Sequence, residues 1–572
     1  MPKIESRKDE FVRLLGVDLP DEELEELLTV AKAELDEPVN DEGRIKFELN
    51  DTNRPDLWST PGLARQLRIY RGGTAPEYPF VSRKGAAQDA GERVVEVEES
   101  VAAVRPYVVA FEFHGPAVTE EILEDIIQSQ EKISWNFGQK RRAIAMGVYR
   151  SDLFSYPVRY RAVDPGSVRF TPLGMEAPMD LRRILEDHEK GREFGDIVRG
   201  FDRYPLLVDA EEAVLSFPPV INSADIGGVQ PGDSTLFVEL TGTDIYTLNL
   251  ACSIVAADLA DLGYEIRPVR IRYPYDTPFG REVVTPYYFQ QPQQIHVSSA
   301  TKLLGRAVSA EEGVQGLQRV GVPAEAKDNV ILAHPPVYRN DFLHAVDVVE
   351  DIMIGLGMRS FEPDMSSEFT VGRLSAMEVL SREVKGILVG LGFQEMVFNY
   401  LASYDELVGR MYPEEAQEAA AAGLVRISNP VSEKFEYLRN SAIPSLLGSE
   451  SVSANAVYPH HVFEVGKSVT KAADTVAGTS THNILSFMTA DAEADFNTVT
   501  SQLSALLYYM NTEYRLRAAE DPRFIPGRAA EVLVGETVLG ILGEVHPRVL
   551  TEWGIEVPCV VCELRLDTLT GE

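Results

Sequence analysis

The sequence predicts an α+β protein made of several domains, and three observations carry that expectation. At 572 residues the chain is too long for one hydrophobic core, and about three or four domains is the prior for such a length. Hydrophobic residues make up 44% of it, enough for sizeable cores. Stretches that alternate with a period of two, such as YVVAFEFHG (107–115), are interleaved with stretches of helical period, such as VTEEILEDIIQSQEKI (118–133).

Composition narrows the class further. The formal charge is −35, and of the 54 basic residues only 14 are Lys. Such a surface as a whole does not attract nucleic acid at low ionic strength. It fits a protein adapted to high internal salt, where screening is short-ranged. The three Cys residues are Cys252, Cys559 and Cys562, too few for a disulfide framework, so a reducing cytoplasm is expected. The Cys559-x-x-Cys562 pair has no second Cys or His pair to complete a metal site. It lies in VPCVVCELRL (557–566), which reads as a core strand whose residues three apart face opposite sides. The N-terminus MPKIESRKDE lacks the apolar stretch of a signal peptide, and no apolar run reaches membrane-spanning length.

Taken in order, residues 1–75 read as a small α/β unit. DEELEELLTVAKAEL (21–35) is an acidic helix carrying Leu24, Leu27, Leu28 and Val30, and IKFELN (45–50) is a strand. Asn53-Arg54-Pro55-Asp56 is a turn whose polar side chains stabilise it. A helix from Thr60 to Tyr70 stops at Gly72-Gly73, and the Pro-, Gly- and charge-rich stretch from Gly72 to Gly91 reads as a linker. From about 92 to 270, VVEVEES and YVVAFEFHG are strands. TLFVELTGTD (235–244) is a strand entering a polar turn, a good place for a ligand-facing loop. The helix from Tyr246 to Ala260 starts just after two candidate N-caps, Thr243 and Asp244. From about 276 to 362, a helix capped by Ser309, with Glu311 and Glu312 in its first turn, and the strand NVILAHPP make a compact helix-turn-helix-like domain. From about 365 to 572, a long helix with a Gly break precedes the strand HHVFEVGKS (460–468). His460 and His461 are adjacent and have no third ligand at a diagnostic spacing, which argues against a metal.

Tyr338 to Met358, YRNDFLHAVDVVEDIMIGLGM, holds the densest pattern. Phe342, Val346, Val349 and Met353 share one helix face by spacing, Asp341 stands where an N-cap belongs, and Gly355 and Gly357 end the helix. Asp347, Glu350 and Asp351 share another face. Three carboxylates there are either a solvated acidic face or a set held by a cation, and hard divalent ions such as magnesium want such oxygens.

The same stretch resembles a segment of the beta subunit of phenylalanyl-tRNA synthetase, archaeal and eukaryotic type. Six further segments agree in the family's order: FELNDTNRPDLWSTPGLARQLR (47–68), SFPPVINS (216–223), LFVELTGTD (236–244), NPVSEKFEYLRNSAIPSLL (429–447), VFEVGKS (462–468) and GEVHP (543–547). The resemblance covers nearly the whole chain. It implies an N-terminal α/β unit (1–75), a tRNA-editing domain (92–270), a helix-turn-helix-like magnesium-linked domain (276–362) and a class II synthetase catalytic-like antiparallel-sheet domain (365–572). It implies that Asp341, Asp347, Glu350 and Asp351 are magnesium ligands at a site shared with the alpha subunit. It further implies a tetramer of two alpha and two beta subunits in the cytoplasm, with phenylalanine tRNA as partner and ATP as substrate of the complex, and neither membrane nor DNA as partner. In this family the editing reaction hydrolyses tyrosine wrongly esterified to phenylalanine tRNA. A site for that ester needs an acceptor for the phenol and polar groups for the ester and a water. Glu239 is the candidate acceptor, with Asn222, Ser223, Thr241 and Thr243 as candidates for positioning the 3′ end or the water. The chain departs from the family at AMGVYRSDLF (145–154), where Tyr149-Arg150 replaces an expected His-Asp pair, and at KISWNFGQ (132–139), which lacks an expected His and Arg. The basic run Lys140-Arg141-Arg142 remains and could meet tRNA phosphates. In the last domain Glu464 and Gly466 sit where an active class II subunit handles ATP, but no Phe-Arg-x-Glu or Gly-rich Arg motif accompanies them. The expectation is therefore a catalytic-like scaffold that does not itself aminoacylate. The alternative is a purely structural subunit whose editing site is inactive.

Overall fold

A computed structural model describes residues 2–453 and 455–570. The chain divides into two compact units, Met1–Met365 and Ser366–Glu572.

The first unit opens with a three-stranded antiparallel sheet, in which Arg44–Leu49 runs between Lys3–Arg7 and Ala33–Glu37. The acidic helix is shorter than the sequence predicts. It spans Asp21–Leu28, and Ala33–Glu37 is a strand. Leu24, Leu27 and Leu28 are buried, so their period is helical, but the run ends once Lys32 turns left-handed (φ 49°) and Ala33 and Leu35 take up the alternation of the sheet. The helix Thr60–Tyr70 forms as expected, capped by the Ser59 hydroxyl. The stretch 72–91 is packed rather than a free linker. Val81, Ser82 and Ala90 are buried, the Ser82 backbone is bonded to that of Pro286 and Tyr288, and the Tyr78 hydroxyl donates to Asp261 at 3.0 Å.

The centre of this unit is a ten-stranded mixed sheet. Its strand Thr235–Gly242 lies antiparallel between Tyr107–His114 and Ile144–Arg150, and all but its first residue are buried. The helix Ile245–Asp261 is apolar on nearly every side because it is packed into this core. Asp244, not Thr243, caps it, accepting from the Thr247 amide at 2.7 Å.

The region around 293–356 pairs three short strands with three helices. Ala310–Arg319 carries a full capping box between Ser309 and Glu312. Ala345–Leu356 corrects the sequence reading of its ends. Its N-cap is His344, with Asp347 completing the box, and Asp341 lies outside it. Phe342 therefore precedes the helix, and Val346 is exposed while Val348, Val349 and Ile352 are buried. Gly355 does not end this helix. A Cβ there would lie 1.9 Å from the Gly316 carbonyl oxygen, so the glycine lets two helices cross backbone to backbone. Gly357, at φ 84°, is the true C-cap.

The second unit is built on a seven-stranded, largely antiparallel sheet. Helices Ala376–Gly390 and Phe496–Tyr509 pack into the core formed on the sheet. Cys559 and Cys562 lie in the strand Cys559–Arg565 and belong to different hydrophobic clusters, one on each face. His460 bonds Glu450 through Nδ1 at 2.9 Å and His461 bonds Thr489 through Nδ1 at 2.8 Å, while His460 Nε2 is buried without a partner among the described residues. Among the described residues no helix is long and apolar enough to cross a membrane.

Candidate functional site

On the central strand, residues 237, 239 and 241 share a face. Glu239 pairs across to Gly147, and Phe237 to Tyr149. Gly147 is required there, because a Cβ would come within 2.0 Å of the Tyr149 hydroxyl and 2.8 Å of Glu239 Oε1. The Tyr149 ring can therefore reach Glu239 diagonally, and its hydroxyl donates to Glu239 Oε1 at 2.7 Å. Asn222 Oδ1 lies 3.4 Å from the same hydroxyl, but a phenol has one proton and the carboxylate is nearer. Asn222 is oriented by its amide donating to the Val148 carbonyl at 3.3 Å, and Gly227 leaves it room, since a Cβ there would be 2.4 Å from that of Asn222.

Glu239 is 3% exposed, yet it lines a cavity of about 270 Å³. The walls are apolar, with Ile126, Met146, Val148, Pro219 and Val229 among them, and Asn222, Gln130, Arg141 and Lys190 supply polar groups. The size is close to the lower end for small-molecule sites and suits one amino-acid side chain. Oε2 of Glu239 has no hydrogen-bond partner among the described residues. Burial pushes this carboxyl up to about 7, against the opposing pull of the Tyr149 hydrogen bond and the Arg105 charge. One oxygen of this buried carboxylate is thus left without a partner at the cavity wall, and a buried acceptor of that kind is costly until it is satisfied.

The five residues expected from sequence divide. Glu239 and Asn222 line the cavity; Ser223, Thr241 and Thr243 do not. The Ser223 hydroxyl caps the short helix Ala224–Gly227. Thr241 accepts from Arg105 Nε at 2.9 Å, and its carbonyl accepts from Nη2 at 2.5 Å. Arg105 is buried, which lowers its guanidinium to about 10. Thr243 is exposed in the turn. Arg141 donates to the carbonyls of Pro219 and Val220, both at 3.1 Å, and so holds the cavity's loop. Tyr149, Gln130 and Lys190 were not among the expected site residues. Tyr149 stood out only as a departure, and only its two-residue offset from Gly147 across from Glu239 pointed to a partner.

The carboxylates of 341–351 are each engaged by donors of the chain itself. Arg339 donates to both oxygens of Asp341 (3.0 and 2.5 Å) and of Asp351 (2.6 and 3.3 Å). Burial would raise Asp341, but the Arg339 charge prevails and holds it at about 2. Asp347 accepts from the Leu343 and His344 amides at 2.8 and 2.7 Å, and Glu350 from Lys32 at 2.7 Å. The expected turn network is part of this assembly. Arg54 binds Asp56 through two 2.8 Å bonds and Gln66 at 3.0 Å. Among the described residues no three His, Cys, Asp or Glu side chains are placed to hold a metal. Asp341, Asp347, Glu350 and Asp351, as arranged, do not fit a magnesium ion. In the second unit Glu464 is consumed in the same way. Arg439 binds both its oxygens at 2.7 and 2.9 Å, with both side chains 1% exposed. A Cβ at Gly466 would lie 2.5 Å from Arg439 Nη2.

The family model of the phenylalanyl tRNA synthetase beta chain CLM domain matches residues 340–566, and that of the tRNA synthetase B5 domain matches 293–358. The phenylalanine–tRNA ligase beta subunit of Borrelia turicatae is 44% identical over 573 residues, spanning 100% of both chains. That of Borreliella burgdorferi strain ZS7 is 42% identical over 571 residues, covering 100% of this chain and 99% of the relative. Among solved structures, an N-terminal fragment of the phenylalanyl-tRNA synthetase beta-subunit from Pyrococcus horikoshii matches with a TM-score of 0.58 and 34% identity, covering 62% of this chain and 100% of the fragment. The chain belongs to the family of phenylalanine–tRNA ligase beta subunits.

Proposed function

We propose that this chain, as a beta subunit of the ligase that joins phenylalanine to its tRNA, contributes hydrolytic editing as well as assembly. The reading rests on one observation: Glu239 is buried at the wall of a side-chain-sized cavity with Oε1 fixed by Tyr149 and Oε2 unpaired among the described residues. A tyrosine side chain entering that cavity satisfies Oε2 through its phenol, and a phenylalanine side chain does not. That asymmetry is what a second, hydrolytic site needs when a phenylalanine pocket fails to exclude an added hydroxyl. The reaction is ester hydrolysis. Water adds to the ester carbonyl, tyrosine leaves as the free amino acid, and the 3′-terminal hydroxyl of the tRNA is restored. Asn222 and Gln130 are the uncharged amides of the lining that can orient the ester or the water.

The active partner is proposed to be the alpha subunit, in a tetramer of two alpha and two beta chains in the cytoplasm, with ATP and magnesium used by the complex. No step is assigned to the four carboxylates of 341–351. The saturated Glu464 supports a scaffold role for the second unit. Its apolar residues left in solvent, among them Val389, Val397, Val431, Tyr508 and Tyr509, support a partner on its surface. The chain is read as the archaeal and eukaryotic type, supported by the 34% identity to the archaeal fragment, while the relatives cited above are bacterial.

A purely structural subunit is a second reading, favoured by the Tyr149 phenol already seated on Glu239. Hydrolysis of tyrosylated phenylalanine tRNA by the reconstituted complex, with and without Glu239→Ala, separates the two. Editing requires cleavage by the parent and loss of tyrosine selectivity in the variant, whereas a scaffold leaves the ester intact in both.

A further inference from the structure

Beside the Glu239 cavity runs a second hollow of about 490 Å³, with Gln130, Arg141 and Lys190 common to both linings. Its outer wall is built in an unusual way. The helix Glu120–Lys132 passes into a π-helical turn over Ile133–Phe137, closed by the Gly138 amide on the Ile133 carbonyl at 2.6 Å. Three consecutive non-glycine residues then take the left-handed conformation: Gln139 (φ 52°), Lys140 (55°) and Arg141 (65°). Such residues are strained, and strained backbone and π-turns of this kind gather at functional sites. The Lys140 and Arg141 amides are tied back to the Trp135 and Ser134 carbonyls at 2.9 and 2.8 Å.

The segment holds Trp135 out. It is 47% exposed, whereas the other two tryptophans, Trp58 and Trp553, are 3% and 7% exposed. Its ring is braced edge-on by Phe194, with centroids 6.5 Å apart at 85°. Lys140 Nζ stands 5.2 Å from the Trp135 centroid, and Arg141 and Lys190 cover Phe194 at 4.1 and 5.6 Å. Glu131 and Glu193 share the lining; Glu193 pairs with Lys190 at 2.8 Å, and Lys3 is taken by Asp36 at 2.7 Å. In a chain of net charge −35, Lys132 in the lining and Lys140 over the ring are ammonium groups beside a fixed, exposed aromatic. A planar apolar face beside flexible ammonium groups matches the chemistry of an unstacked base with its flanking phosphate.

We propose that the Trp135 groove seats the unpaired 3′ end of the RNA whose terminal ester enters the Glu239 cavity, one base stacking on Trp135 and a neighbouring phosphate meeting Lys140. This rests on the editing reading and adds the entry path to it. Arg141 is not a phosphate contact here, since its guanidinium is spent on the Pro219 and Val220 carbonyls.

The test uses the full chain and two RNA hairpins, one ending in single-stranded ACCA and one blunt. Because Trp135 is the only tryptophan among the three that is open to solvent, stacking reports directly as quenching of intrinsic fluorescence. Saturable quenching by the overhang hairpin alone is expected. Trp135→Leu should abolish it and weaken binding, followed by anisotropy, about ten-fold or more, while Trp135→Phe should keep most of the affinity. Lys140→Ala should reduce the slope of log affinity against log salt by about 0.7. Equal binding of the blunt hairpin, or unchanged affinity in Trp135→Leu, overturns the proposal. The two readings fail separately. Ester hydrolysis that is indifferent to Trp135→Leu would sink the entry path and leave editing standing, and overhang binding at Trp135 without hydrolysis would do the reverse.

Discussion

Glu239 is held at one oxygen and left unpaired at the other among the described residues, and that asymmetry makes it testable in two ways. Its carboxyl is raised by burial from 4.5 to about 7, so the folded state binds its proton more tightly than the unfolded state does. The stabilisation this gives is fully present below about 4.5 and is lost as pH rises to about 7. Above that, the protein carries a buried charge at a cost of ~3 kcal/mol. Glu239→Gln removes the titration and keeps the shape. Its stability relative to the parent should therefore improve by ~3 kcal/mol between pH 4.5 and pH 8, measured by urea unfolding at each pH; a pH-independent difference would show that Glu239 does not titrate there. Tyr149→Phe acts in the opposite sense on the same group. The Tyr149 hydrogen bond lowers the Glu239 carboxyl, so its removal should raise the pH midpoint at which Glu239 loses its proton, followed through the pH dependence of the preference for tyrosyl ester. The preference for tyrosyl over phenylalanyl ester should also fall, because Oε1 is then free to turn from the cavity. An unchanged pH midpoint would make Tyr149 a packing residue only. Glu239, inside the strand Thr235–Gly242, and Asn222, at the end of Ile221–Asn222, line the cavity at positions that the motifs of the resemblance pick out. Ser223 and Thr241 were equally well placed by motif, but nearby backbone amides and Arg105 claim their oxygens, and no spacing rule reveals such competition.

Among the elements, Ala310–Arg319 was legible almost to the residue, since Ser309 and Glu312 carry a capping signal in their identities. Ala345–Leu356 was not. Asp341 looks like a cap until Arg339, two residues away, takes its carboxylate, and His344 is a rarer cap that sequence preferences do not favour. The role of Gly355 was hidden for a different reason, because it depends on a residue 39 positions earlier. Gly355 meets Gly316 backbone to backbone, and Arg319 donates to the Gly355 carbonyl at 2.8 Å. Gly355→Ala must separate the two helices, and over-packing of this kind costs about 1–3 kcal/mol. A loss in that range by urea unfolding is expected, although alanine is the better helix former. A neutral or stabilising outcome would mean that the crossing yields freely.

At the scale of the whole molecule, the charge of −35 dominates, and most cations are already spent on local pairs. Many of those pairs are exposed, such as Arg281 with Asp276 and Arg515 with Glu536, and contribute little individually. The remaining carboxylates repel one another across the surface, and that self-repulsion destabilises the compact state. The buried pairs Arg339–Asp351 and Arg439–Glu464 are shielded from solvent ions, so added salt hardly weakens them. Salt therefore screens the unfavourable long-range term more than the favourable buried one. The melting temperature of the full chain should rise as sodium chloride is increased from about 0.05 to 1 M, over which the screening length falls from more than 10 Å to about 3 Å. Most of the gain should come below about 0.5 M, where the screening length changes fastest. Potassium chloride should do the same at equal ionic strength, because screening does not distinguish the two cations. A flat or falling melting temperature in both salts would show that surface pairing, not repulsion, governs the folded state, and that the acidic composition is not an adaptation to salt.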